Sequence, residues 1–182
     1  VADELFLIRH GELPKEFAGR YVGSTDPGLS PEGRESCRAL SALRCDAVYS
    51  SPLKRAVETA RWIPAPLFID DDLREIDFGE WENLTFEEIS ARITPEHLEL
   101  WTKEPDKMYF PGGERAEEFD ARADAAFARI ASLPLASVAI VTHGGVLMRI
   151  LSRLRGKPGY ACLPPRGGMV HLIQVEGKWH EK

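Results

Sequence analysis

Two runs of apolar residues, Leu5–Arg9 (LFLIR) and Ser137–His143 (SVAIVTH), show no polar alternation. Unbroken short runs of this kind predict strands covered on both faces, as inside a parallel sheet. Asp46–Ser51 (DAVYSS) and Ala65–Asp70 (APLFID) predict two more strands. Helical patterns separate them. Ser30-Pro31-Glu32 has an N-cap hydroxyl, a proline in the first turn and an early acid, and predicts a helix running to about Leu43. The segment SPLKRAVETARWI carries Ala56, Ala60 and Ile63 at helical spacing. Further helices are predicted from about Thr85, over Arg115–Ser132, and from Gly144-Gly145 onward. The closing segment GMVHLIQVEGKW alternates and predicts a hairpin or edge pair.

Strands that alternate with helices imply an α/β fold, with a mainly parallel sheet and helices on both faces. The length of 182 residues suits one domain spanning 1–182. Gly19, Gly23, Pro27 and Gly28 mark a loop after the first strand. Prolines at 95, 105 and 111 interrupt the chain after the polar stretch 71–83, so residues of about 83–114 read as a lid-like excursion.

Composition narrows the partners. Hydrophobic residues make up 43% of the chain and charged residues 29%, as in ordinary globular proteins. A net charge of −6 with no basic stretch argues against nucleic acid, which needs clustered cations. No apolar segment is long enough to cross a bilayer, and no signal-peptide pattern precedes the first strand. Cys37, Cys45 and Cys162 form no paired metal spacing and read as reduced thiols of a cytoplasmic protein.

The candidate chemistry sits at strand ends. Ligands in open α/β sheets bind beyond the carboxyl ends of the strands, where Arg9-His10 and His143 are predicted to lie. An imidazolium beside a guanidinium is repulsive. A neutral His10 beside Arg9 makes sense if an anion binds there, and a phosphomonoester is such an anion. A neutral imidazole can attack phosphorus and form a phosphohistidine that water later opens. His10 is the candidate nucleophile, with one ring nitrogen donating to a nearby carbonyl in the Gly11 loop. Arg9 and Arg55 are candidate clamps for phosphoryl oxygens, with Ser50 and Ser51 able to face the same anion. His143, if protonated, stabilises charge on the equatorial oxygens, and Gly144 lets backbone approach the ligand. Thr25, in the loop before the first helix, is added to the phosphate-binding set. In LREIDFGEWE, Glu75 is the candidate general acid, with Asp77, Glu80 and Glu82 as competitors. Phe78 and Trp81 read as loop packing; Trp101, Tyr109 and Phe110 line a lid or pack beneath it. The histidines His10, His97, His143, His171 and His180 do not pair at metal spacing, so neither metal nor other cofactor is expected.

Together LIRHGE, SSPLKRAVETA, LREIDFGEWE and VTHGG resemble the histidine phosphatase superfamily, which includes cofactor-dependent phosphoglycerate mutases and many phosphatases. The resemblance implies a phosphoglycerate mutase-like three-layer α/β/α fold. It implies a phosphorylated His10, a phosphate pocket completed by Arg9, Arg55 and His143, Glu75 as proton donor, and no metal. Three positions depart from the pattern. Leu13 and Glu16 stand where many relatives carry Thr or Ser and an asparagine, and Asn83 stands where they often carry glycine. The chain is short in the region where mutases insert a substrate cover, which favours hydrolysis over return of the phosphoryl group. DFGEWE, FPGGERAEEFDARA and GGMVHLIQV are similar to segments of α-ribazole-phosphate phosphatases, which implies a small phosphorylated metabolite and a place in cobalamin biosynthesis. A mutase and a non-catalytic phospho-ligand binder are the alternatives. The final alternating segment also admits a homodimer through strand pairing.

Overall fold

A computed structural model describes residues 1–156 and 163–182, except the side chain of residue 106. Cys162 therefore lies outside the described residues, while Cys37 is buried and Cys45 half-buried, both as free thiols. Six strands form one sheet in the order β3-β2-β4-β1-β5-β6. These are β1 (Glu4–Arg9), β2 (Ala47–Ser50), β3 (Leu67–Ile69), β4 (Ser137–Thr142), β5 (Met169–Val175) and β6 (Lys178–Glu181). The pairs β1–β4, β2–β4 and β2–β3 are parallel. The terminal hairpin adds two antiparallel strands beside β1.

The unbroken apolar runs have the predicted cause. In β1, Leu5 and Leu7 face one core while Phe6 and Ile8 face the other. In β4, Val138 and Ile140 join the first core, and Ala139 and Val141 the second. The first core is closed by α5 (Ala116–Ala131) and α6 (Gly144–Arg155). The second is closed by α1 (Pro31–Cys37) and α2 (Lys54–Ala60). The result is an α/β/α sandwich whose two central strands meet no water on either face.

Two helices are shorter than their patterns. α1 begins as expected, with the Ser30 hydroxyl accepting from the Gly33 amide, but tightens after Cys37 into a 3-10 turn over Arg38–Ala42. α2 ends at Ala60 because Pro64 bars a further α-turn; Trp62 and Ile63 donate back only three residues, to Thr59 and Ala60. β3 is also shorter than expected and lies at the sheet edge with Phe68 and Ile69 exposed.

The excursion over 83–114 contains α3 (Phe86–Ser90) and α4 (Pro95–Lys103). α3 opens with a reciprocal Thr85–Glu88 capping box. The excursion is folded around a small core of Trp81, Ile89 and Met108. Trp101 stacks on Trp81 at 5.5 Å and meets Tyr21 and Phe86 edge-on. Phe110 packs edge-on against Phe78 and Trp81. Of the two readings of Trp101 and Phe110, packing is the one observed. No helix among the described residues is long and apolar enough to cross a membrane.

Candidate active site

The parallel register of β1 and β4 pairs Arg9 with Thr142, so the next residues, His10 and His143, emerge side by side. Their rings lie 5.2 Å apart, centre to centre. β2 delivers Ser51 to the same sheet end, where its amide donates to the Val141 carbonyl. Glu75 arrives from the chain after β3. The buried Thr142 hydroxyl donates to the Leu73 carbonyl at 2.7 Å and draws that loop over the end of β4. Five predicted site residues, Arg9, His10, Arg55, Glu75 and His143, are thus gathered from four distant stretches.

His10 is almost buried, and its Nδ1 donates to the Gly11 carbonyl at 2.8 Å. A proton fixed on Nδ1 leaves the Nε2 lone pair free in the neutral ring. Burial, assisted by the Arg55 charge, pushes His10 down to about 3. The Gly11 peptide is itself anchored. Its amide donates to the Thr59 hydroxyl at 2.9 Å, and that hydroxyl donates to the Arg55 carbonyl at 2.8 Å. Thr59 lies four residues after Arg55 on α2, a spacing that places both on one helix face.

His143 differs from its expected form. It is fully buried and held well below the usual histidine range, first by burial and then by the Arg55 charge. Arg55 Nε donates to its Nδ1 at 3.2 Å, and an arginine cannot accept. The ring is therefore neutral in the resting protein, with Nε2–H donating to the Ser51 hydroxyl at 2.7 Å. Ser50 and Ser51 are buried and turned inward. The Ser50 hydroxyl donates to the Ser51 carbonyl, and the Ser51 hydroxyl also accepts from the Leu53 amide.

Arg55 has 0% exposure, far from a solvated helix face. Besides Nε, its Nη1 donates to the Thr25 carbonyl, and its Nη2 to the Val22 and Gly23 carbonyls. Thr25 also departs from expectation: its hydroxyl donates to Glu82 at 2.6 Å. Glu82 accepts in addition from the amides of Gly23, Ser24, Thr25 and Phe78. These bonds hold its carboxyl below the usual range, against the desolvation that is the largest influence on it. Glu82, one of the competing acids, is the knot that shapes loop 22–25 around Arg55. The others are placed differently: Asp77 accepts from Ser24 Oγ and the Gly79 amide, and Glu80 is exposed.

Glu75 is held at the N-terminus of α6. Its Oε2 accepts from the Gly145 amide at 3.0 Å and its Oε1 from the Ile76 amide at 3.0 Å. Burial pushes the carboxyl above its ordinary range, outweighing the two amide bonds. The Gly145 amide, in the first turn of α6, thus serves Glu75, where the glycine pair was expected to face a ligand. The glycines are needed for a related reason. A Cβ at Gly145 would fall 2.3 Å from Glu75 Oε1, and one at Gly144 3.3 Å from Arg9 Nη2. Arg122 of α5, which sequence reasoning missed, donates to the carbonyls of Asp72, Arg74 and Glu75 and pairs with Glu114. A cleft of about 490 Å³ opens beside Glu75, with Ser24, Leu53, Arg74, Asp77 and Arg122 in its walls.

The departures from the family pattern are placed as well. Leu13 is buried and Glu16 exposed, in the 3-10 turn over Lys15–Phe17. Asn83 has φ +60°, the left-handed conformation for which glycine and asparagine are favoured. Among the described residues no group of three His, Cys, Asp or Glu could hold a metal ion.

The three-layer fold, with two histidines and two arginines at the carboxyl ends of its parallel strands, defines a phosphoglycerate mutase-like protein. The sequence profile described as Histidine phosphatase superfamily (branch 1) matches residues 5–176, and the chain belongs to that superfamily. The adenosylcobalamin/alpha-ribazole phosphatase of Escherichia coli is 30% identical over 184 residues, covering 96% of this chain and 87% of that one. Phosphoserine phosphatase 1 of Hydrogenobacter thermophilus is 38% identical over 119 residues. That match spans 61% of this chain and 56% of the relative's length. The crystal structure of the alpha-ribazole phosphatase from Shigella flexneri superposes with a TM-score of 0.85 at 26% identity, covering 98% of this chain and 94% of that one.

Proposed function

We propose that the protein is a phosphomonoesterase working through a phosphohistidine on a small phosphorylated metabolite. The observation that carries this reading is the His10 Nδ1 bond to the Gly11 carbonyl, in a ring kept neutral among cations. It leaves a lone pair on Nε2 beside Arg9 and His143. In the first step Nε2 bonds to phosphorus as the phosphorus–oxygen ester bond breaks. Glu75 gives its proton to the departing alkoxide, a role supported by its raised proton affinity and its place in the cleft wall. In the second step water attacks phosphorus, the phosphorus–nitrogen bond breaks, and the Glu75 carboxylate takes the water's proton. Inorganic phosphate leaves and His10 returns to the neutral ring. His143, neutral at rest, can offer Nε2–H to an equatorial oxygen if it turns that donor from Ser51.

The alcohol carried by the phosphate has the cleft beside Glu75 to occupy. The alpha-ribazole phosphatases matched over nearly the whole chain support α-ribazole 5'-phosphate as the first substrate to test. A panel of that ester, phosphoserine, 3-phosphoglycerate and sugar phosphates, ranked by kcat/KM, tests the reading. Phosphate release that disappears in His10→Ala is expected. Isomerisation of phosphoglycerate with little free phosphate would replace the phosphatase by a mutase. Turnover that survives His10→Ala would remove the mechanism.

A further inference from the structure

On the Arg55 side, little of the expected phosphate clamp is free. Arg55 spends four of its five N–H bonds on His143 and the carbonyls of Val22, Gly23 and Thr25. Arg9 gives Nη1 to the Pro164 carbonyl, and its buried Nε has no partner among the described residues. Among the described residues, a phosphoryl dianion at His10 therefore meets the Arg9 N–H groups not given to Pro164 and one spare Arg55 hydrogen. A dianion gains from any further cation within reach.

A third guanidinium stands at the same edge. The segment before β5 is laced to the end of β1. Arg9 N donates to the Gly168 carbonyl at 3.0 Å, and Gly167 N donates to the carbonyls of both Arg9 and His10, each at 3.0 Å. Arg166 is thus fixed one residue from a direct backbone bond to the nucleophile. Its Nη1 lies 2.8 Å from an oxygen of Glu12, two residues beyond His10. The two side chains are 25% and 54% exposed. Ion pairs so open to water contribute little and are readily exchanged. A phosphoryl group offers the same planar fork two acceptors and twice the charge.

We propose that Arg166 is a substrate-binding residue that leaves Glu12 for the non-bridging oxygens of the phosphoryl group at His10, and that Glu12 holds it in place between turnovers. The inference rests on the phosphomonoesterase reading of the site. The field of Arg166 agrees with it: its charge is among the influences lowering Arg9, His10 and Arg55, and on His10 it precedes Arg9.

The test is calorimetric binding of inorganic phosphate to the resting protein, beside steady-state kinetics on the best monoester. Arg166→Gln should weaken phosphate binding roughly 10- to 100-fold and raise KM more than it lowers kcat. Arg166→Lys should restore part of the loss. Glu12→Gln should leave phosphate binding unchanged or tighten it, because it removes a competitor for the guanidinium. Phosphate binding by Arg166→Gln within twofold of the wild type overturns the proposal. So does a Glu12→Gln variant that weakens as much as Arg166→Gln, which would make the pair a strut. A wild-type chain that binds no phosphate overturns it too. A chain that binds phosphate through Arg166 but hydrolyses no monoester would instead remove the phosphatase reading alone.

Discussion

The two flanks of the candidate site are built by opposite means. On the β2 and β4 side, the buried Arg55, His143, Ser51 and Thr59, with the half-buried Glu82, form a network in which carbonyls and carboxylate consume nearly every donor. On the β1 and β5 side, Arg9 has a buried donor without a partner among the described residues, and Arg166 rests on an exposed glutamate. The first flank cannot rearrange without stranding polar groups in a dry interior, so it fixes geometry. The second can exchange partners at little cost, so it suits ligand entry and release. Preorganisation and responsiveness are separated within one pocket, because a buried satisfied cation is rigid and a wet ion pair is not.

The contrast can be broken most sharply at Arg55. Arg55→Ala removes all of these donors, leaving three carbonyls and His143 Nδ1 without those partners. A loss of about 3 kcal/mol is expected, read by urea unfolding. A loss comparable to an exposed arginine's would mean the network relaxes and the rigid flank is not rigid. Gly145→Ala comes next. The new Cβ would sit 2.3 Å from Glu75 Oε1, so the carboxyl must move. A displacement of about 1 Å predicts kcat/KM falling roughly 100-fold, with unfolding little changed. Equal losses in activity and stability would point to general damage instead.

The smallest effect is in pH. His10 and His143 are both depressed in the folded chain, so the unfolded chain binds protons that the native chain does not. Their contribution to stability is complete above the unfolded value of about 6.5 and is lost as pH falls below it, for His10 down to about 3. Each contributes at most about 1.4 kcal/mol per pH unit in that window. Glu75 works the other way. Its raised affinity stabilises the fold at low pH, and that contribution is lost as pH rises through the unfolded carboxyl value toward the folded one. Urea midpoints between pH 7 and 5 should fall on acidification, and less steeply in His10→Gln. An unchanged slope would mean that His10 already carries a proton when folded.

Much of this was legible from local chemistry. The double-sided apolar runs announced β1 and β4, and the serine–proline start announced α1. The segments around Arg9-His10, Arg55, Glu75 and His143 were readable because each couples an unusual residue type to a strand end or helix start. The Thr25 hydroxyl and the Gly145 amide were less well read. The Thr25 hydroxyl turns to Glu82, and the α6 amide was expected to meet ligand but meets Glu75. Neither choice of partner is written in local spacing. Arg166, Arg122 and Glu82 were missed as organisers because a lone charged residue in a loop looks the same whether it is solvated or central.

By itself the sequence determined which stretches pair into a covered sheet and which residue types wait at its carboxyl ends, since periodicity and strand ends are properties of neighbouring residues. Only the tertiary structure decided which cations are already spoken for and which are free. Hydrogen-bond capacity is finite, and whether Arg55 spends it on three carbonyls or on a ligand depends on groups that approach from about thirty residues away in one direction and ninety in the other.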